Sequence, residues 1–317
     1  MTRSDVQGPF PITDDDIAAV NHVFSDGFTE RYRRDGLVGV RVPTLNPAIW
    51  RFSLADAGAG AMLWRDREGA LAAFNVAHRS GIEGWMGPIV VRPDLQGRGV
   101  GHTIVTAGVD WLRAQGALVI GLETMPRTVD NIGFYSSLGF VPGPLTVTFT
   151  IDAALGEPPV SRIGCYGPQE RDDAIAECKA LAASVLAGYD FTREIEMTSA
   201  LALGDTVLLR DDHAVRGFAV CHVAPLIEGR PREELRVLKV VLDDAARTPA
   251  MVRALAAYSR ECQTARVALR VQSGYERTYR DVLAAPGRVR WTDLRMTLSG
   301  FPEARAATGV VLSNWEI

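Results

Sequence analysis

The stretch Ile89-Val90-Val91-Arg92-Pro93-Asp94-Leu95-Gln96-Gly97-Arg98-Gly99-Val100-Gly101 decides how this chain is read. Met86–Val91 is apolar almost without interruption, which predicts a strand covered on both faces. Val100, Ile104, Ala107 and Trp111 recur at helical spacing, which predicts a helix over Val100–Ala114. Between them the glycines let successive backbone N–H groups turn toward one point. A strand, a tight loop and a helix N-terminus in that order make a cradle for phosphate, because free N–H groups and the positive end of the helix dipole meet there. Arg98 adds a cation. A Walker A loop is excluded, since no Lys follows the glycines. The dinucleotide fingerprint GxGxxG starts at Gly97-Arg98-Gly99, but His102 stands where the third Gly belongs. The strand also follows helices and a hairpin instead of opening a βαβ unit.

Working outward, the order of elements occurs twice. In the first half Thr13-Asp14-Asp15-Asp16 starts a helix predicted to end near Ser25, and Asn46-Pro47 starts one ending near Gly58. Ala61–Trp64 and Ala70–Ala77 flank Asp66-Arg67-Glu68-Gly69 as a hairpin. After the glycine loop and its helix come a strand at Leu118–Leu122, a helix at Asn131–Leu138 and a strand at Leu145–Ile151. Residues 152–162, with Gly156 and Pro158-Pro159, read as a linker. The second half then gives helices at Gln169–Leu186 and Thr192–Leu203, a hairpin at Thr206–Arg210 and Arg216–Val223, and a strand at Leu235–Leu242. A helix at Pro249–Thr264, a strand at Val267–Val271, a helix at Tyr275–Leu283 and a strand at Val289–Leu298 follow. Ala61 and Val207, Met86 and Leu235, Leu118 and Val267, Leu145 and Leu294 pair off at a near-constant separation, so two copies of one fold are predicted. Gly309–Ile317 reads as a further strand, expected to cross to the other half's sheet.

Size and composition agree with this. At about 150 residues per domain, 317 residues predict two domains. A net charge of −4 argues against a nucleic-acid binder. No apolar run approaches a membrane span, and MTRSDVQGPFPITDDD has no apolar signal core, so the expected location is the cytoplasm. The 32 Arg against 2 Lys read as the codon bias of a GC-rich bacterial genome. Cys165, Cys178, Cys221 and Cys262 form no CxxC and read as buried small side chains. The histidines, His22, His78, His102, His213 and His222, have no ligand spacing, so no metal is expected.

The loop strongly resembles motif A of the GNAT superfamily of acyl-CoA-dependent N-acetyltransferases, [Q/R]-x-x-G-x-[G/A], here Gln96, Gly99 and Gly101. Asn131-Ile-Gly-Phe-Tyr135-Ser-Ser-Leu-Gly139-Phe140 is similar to the family's later helix and strand, with its Y-x-x-L-G-F. The resemblance covers about 12–151 and implies an α/β (α+β) fold: two tandem GNAT-like domains, each a central mixed, mainly antiparallel sheet flanked by helices. The expected domains are a catalytic one over 1–151 and a degenerate one over 163–317. In the latter, Asp243-Asp244 stand where a glycine nest would be, and carboxylates there repel a pyrophosphate.

The resemblance also implies a chemistry. Gln96, Gly97, Arg98, Gly99, Val100, Gly101 and His102 hold the pyrophosphate of acetyl-CoA, the co-substrate. The backbone of Ile89, Val90 and Val91 pairs with its pantetheine arm. Gly87-Pro88 suits a strand that splays from its neighbour. Asn131 is placed at the cofactor. Many relatives carry an Asn where Thr128 stands here, which leaves Arg127-Thr128 as an alternative. Tyr135 matches the general acid that protonates the leaving thiolate. Glu123 and Glu83 are the candidate bases for the attacking amine, with Glu123 preferred because it ends an apolar strand facing the cleft. Arg31-Tyr32-Arg33-Arg34-Asp35 would steer an anionic acceptor, and Tyr275 and Tyr279 either line a second pocket or pack. The expected acceptor is an amine of a small molecule or peptide, and the expected assembly a monomer (a pseudo-dimer of its two domains) or a homodimer. The competing reading is a non-catalytic acyl-CoA or ligand sensor.

Overall fold

The computed structural model describes residues 6–157, 159–211, 214–285 and 287–315. His213 and the last two residues of the expected final strand, 316 and 317, lie outside them. The first half runs β1 (Val6–Pro11), α1 (Ile17–Arg34), α2 (Pro47–Ala57), β2 (Ala61–Asp66), β3 (Leu71–Ser80), β4 (Glu83–Val91), α3 (Val100–Ala114), β5 (Val119–Thr124), α4 (Val129–Ser137) and β6 (Phe140–Asp152). The second runs α5 (Pro168–Val185), α6 (Thr192–Ala200), β7 (Gly204–Arg210), β8 (Val215–His222), β9 (Glu234–Leu242), α7 (Thr248–Glu261), β10 (Arg266–Gln272), α8 (Glu276–Ala284), β11 (Arg288–Leu298) and β12 (Val310–Ser313). Mixed sheet and flanking helices are those of two GNAT-like domains in tandem.

Local chemistry explains most boundaries. Asp16 accepts hydrogen bonds from both the N–H and the hydroxyl of Thr13 at the start of α1, and Asn46 accepts from the N–H of Ala48 beside Pro47 at the start of α2. Helix α1 does not end near Ser25 but continues to Arg34. It passes through Gly27, where a Cβ would lie 2.5 Å from Cγ1 of Val90. The glycine sets how closely α1 packs on β4 and does not break the helix. Strand β1 has no counterpart in the sequence reading. Its Gly8-Pro9 irregularity hides the strand pattern, and it is an edge strand paired to β2 alone.

All strands join one sheet in the order β1-β2-β3-β4-β5-β11-β6-β10-β9-β8-β7, with β12 on β9. The centre of this order is an exchange. Strand β11 of the second half lies between β5 and β6 of the first, pairing Leu294 with Thr124 and Arg295 with Glu123. Strand β6 of the first half lies against β10 of the second, pairing Val147 with Val271 and Ile151 with Val267. The packing follows the pairing. Val147, Phe149 and Ile151 are in the core of the second half, while Met296 and Leu298 are in that of the first. The exchange buries a strand edge of each half against the other.

The expectation for the C-terminal strand is corrected. Strand β12 pairs with β9 of its own half, and it is β6 and β11 that cross. Tyr279 packs edge-on against Phe149 at 5.3 Å and Tyr275 joins the same core; these two tyrosines pack. Cys178 and Cys221 are buried as expected, Cys262 is half-buried, and Cys165 is exposed. Among the described residues no group of His, Cys, Asp and Glu is placed to hold a metal ion, and no helix is long and apolar enough to cross a membrane.

Candidate active site between the two halves

Strand β4 pairs in parallel with β5 only over residues 83–86 and 119–122. A register shift against β3 falls at Gly87-Pro88, between the pairs Asn75–Ile89 and Ala77–Met86. Beyond it β4 and β5 part, and Ile89, Val90 and Val91 present backbone toward a cavity of about 1180 Å³. The glycine loop stands at the end of that opening. Gly97 and Gly99 have φ of +75° and +84°, a region costly to residues with a Cβ, and a Cβ at either would meet only open space. Gln96 closes the loop by donating to the carbonyl of Val91 at 3.0 Å. Gly99 is the N-cap of α3, and no side chain caps the helix there. The first N–H groups of α3 are thus left for a ligand. Gln96, Gly97, Gly99, Gly101 and His102 line the cavity; Arg98 is exposed outside its wall, and Val100 is buried beneath it.

Tyr135 lines the same cavity from α4, between Phe134 and Phe140. Burial pushes its phenol up to about 12, so the group stays protonated at neutral pH. Among the described residues none hydrogen-bonds its hydroxyl. Asn131, one turn earlier, reaches the wall and donates to the hydroxyl of Thr124 at 3.3 Å. Thr128 points elsewhere: its hydroxyl donates to Asp35 at 2.6 Å, which ties α4 to the end of α1. Arg127 lies over the rings of Tyr32 and Trp291.

The two candidate bases fare differently. Glu83 does not line the cavity. It is fully buried, accepting from Nε1 of Trp85 at 2.7 Å and from the hydroxyl of Ser313 at 2.6 Å. Ser313 in turn accepts from the buried ammonium of Lys239 at 2.8 Å. This carboxylate anchors β12 rather than facing a substrate. Glu123 is on the wall, but it is clamped by Arg270, by Arg295 with Nη1 at 2.9 Å, and by the hydroxyl of Thr146. Burial alone would raise its carboxyl; the two guanidinium groups outweigh it and hold the carboxyl below the usual range. A carboxylate so neutralised is a weak proton acceptor. The basic run in α1 is also paired internally, Arg31 with Asp35 and Arg33 and Arg34 with Glu30.

The sequence reading misses the far wall altogether. Leu226, Glu234, Arg236, Arg270, Arg290, Trp291, Asp293 and Trp315 all come from the second half. Leu226 lies in the connection before β9; the others sit on or beside β9, β10, β11 and β12, and the exchanged sheet brings them to the cavity. Nothing in their sequence pattern distinguishes them from strand residues of an ordinary sheet. Trp315 stacks on His78 at 4.8 Å, with the Lys239 ammonium 3.3 Å from its ring centre.

An uncapped helix N-terminus, a glycine loop and a splayed strand edge on one cavity make a site suited to an anionic group at one end and an extended, hydrogen-bonding arm along the strand. Comparison with known proteins narrows this. Residues 28–140 match the Acetyltransferase (GNAT) family. Similar folds include a Pyrococcus horikoshii protein described as an acetyltransferase (TM-score 0.66, 15% identical, covering 94% of this chain and 90% of that one). A GCN5-related N-acetyltransferase from Sphaerobacter thermophilus is similar at TM-score 0.59 and 16% identity, covering 97% of this chain and 100% of that one. A tandem GNAT protein from the clavulanic acid biosynthesis pathway has TM-score 0.60 and 13% identity, covering 94% and 100%. No curated protein sequence matches the chain.

Proposed function

We propose that the protein is an acetyl-CoA-dependent N-acetyltransferase that transfers the acetyl group directly to an amine of a small molecule or peptide, with both substrates bound at once. In this reading residues 1–151 form the domain that binds acetyl-CoA. Residues 163–317 form a second domain that has lost that site and completes the acceptor pocket. The observation that carries it is the coincidence, on one cavity, of the free β4 edge, the uncapped glycine loop and Tyr135. Bound acetyl-CoA supplies an acyl group already activated as a thioester. The N–H groups of Gln96–His102 hold its pyrophosphate, and the backbone of Ile89–Val91 pairs with its amide-bearing arm as an added strand. Tyr135 donates its hydrogen bond to the sulfur that leaves. A phenol raised to about 12 keeps its proton until negative charge develops there. The expected compartment is the cytoplasm.

Calorimetric titration with acetyl-CoA, followed by a thiol-release assay on a panel of primary amines, tests the reading. One acetyl-CoA per chain and turnover on at least one amine is the expected result. Binding without turnover on any amine would make the protein an acyl-CoA sensor instead, a reading favoured by the clamped state of Glu123.

A further inference from the structure

With Glu83 sealed away and Glu123 held by two arginines, neither of the two candidate bases of the first half is placed to take the proton of the amine. The second half supplies a further carboxylate, Asp293. It lies on β11 and lines the cavity. Its carboxylate accepts from Nε1 of Trp291 at 3.1 Å and from Nη2 of Arg270 at 3.1 Å. Arg270 lies closer to Glu123, so its charge is already matched there. The two carboxylates therefore move in opposite directions: burial, with the nearby charge of Glu123, pushes the Asp293 carboxyl up, despite Arg270. The other groups near it are Tyr32 from α1, Arg127 stacked on Tyr32 and Trp291, and the Arg290–Glu234 pair on the same wall.

Resting on the acetyltransferase reading, we infer that Asp293 is the general base of the reaction, delivered to the first half's site by the exchanged strand β11. The acceptor amine then enters on the β10–β11 side of the cavity, with Trp291 and Arg270 fixing the carboxylate that meets it. In the step, the nitrogen lone pair forms the N–C bond to the acyl carbon and the C–S bond breaks with its electrons on sulfur. One N–H proton passes to the Asp293 carboxylate, directly or through one water, and sulfur receives the Tyr135 proton. The second half is then part of the catalytic machinery.

The test compares wild type with Asp293→Asn and Asp293→Glu, using acetyl-CoA and the amine panel. Asn keeps an acceptor for the Trp291 N–H, and Glu123 still neutralises Arg270. Expected for Asp293→Asn are an unchanged acetyl-CoA affinity and a kcat lower by about 10²–10⁴. The acidic limb of its kcat–pH profile should vanish, and Asp293→Glu should recover part of the rate. A readout without substrate is the thermal midpoint against pH. A carboxyl raised in the folded state stabilises when protonated, and that stability is lost as pH rises through its folded pKa. The Asn variant should therefore gain on wild type from pH 4 to pH 8. A kcat near wild type, or a stability gap that runs the other way, overturns Asp293 as the base while leaving the acetyltransferase reading intact. Wild type that binds acetyl-CoA and acetylates no amine overturns both.

Discussion

β4 and β9 hold equivalent places in the two halves, and each pairs in parallel with the next strand over a short stretch, residues 83–86 with 119–122 and residues 234–237 with 266–269. Past that stretch the halves diverge. The edge of β4 is open to the cavity, whereas the edge of β9 is covered by β12, with Val310 against Leu242 and Ser313 against Lys239. The next turn differs in the same sense. Gly99 leaves the N–H groups at the start of α3 uncapped. In the second half Asp244 accepts from the N–H of Ala246 at 2.7 Å, and Asp243 pairs with Arg247. One half offers a strand edge and an anion cradle to a ligand; the other satisfies both with its own chain. The same framework thus yields a binding site or a support, depending on whether its polar backbone is left unpaired.

Four substitutions sharpen or break this comparison. The largest effect is expected from Gly99→Glu, which puts bulk at a left-handed position and negative charge into the cradle. It should abolish acetyl-CoA binding in calorimetry while leaving the fold intact. Retained binding would mean that the second half, against its capped turn and filled edge, can take the ligand. Next is Tyr135→Phe, which removes one hydroxyl and little volume. Turnover should fall by about 10²–10⁴ at unchanged acetyl-CoA affinity and thermal midpoint. An unchanged kcat would remove Tyr135 from the chemistry.

Leu312→Ala tests the covered edge. Leu312 is 1% exposed in the core of the second half, so truncation should cost about 2–5 kcal/mol in chemical denaturation. The binding stoichiometry should remain one acetyl-CoA per chain. A second binding event would show that β12 alone blocks the second site. The smallest effect is expected from Glu123→Gln. Because its carboxyl is held below the usual range, Glu123 contributes stability that is full at neutral pH and lost as pH falls through its folded pKa. The variant should melt a few degrees below wild type at pH 7, the gap beginning to close only as pH falls below about 4.5, and should retain most of its kcat. A collapse of kcat as deep as that expected for Asp293→Asn would return the role of base to Glu123.

The local elements around the glycine loop were legible because local rules fix them. An apolar run, positive-φ glycines and helical spacing specify strand, turn and helix from neighbouring residues, and a motif of this kind carries its ligand in its own backbone. The doubled order of elements was legible for the same reason, as was the lack of a glycine loop at Asp243-Asp244, where the turn is capped by its own carboxylates. Continuation of α1 through Gly27 was not, because that glycine answers to Val90, remote in sequence. Strand exchange lay further out of reach: β6 and β11 have the alternation of any half-buried strand, and alternation names a face but no partner. The tertiary structure alone put Arg270 and Arg295 on Glu123, closed Glu83 behind Ser313, and carried Asp293 and Trp291 to the wall of the cavity. Backbone conformation is decided within a few residues. The charge and accessibility of a carboxylate are decided by whatever the fold packs against it, here residues from the far half of the chain.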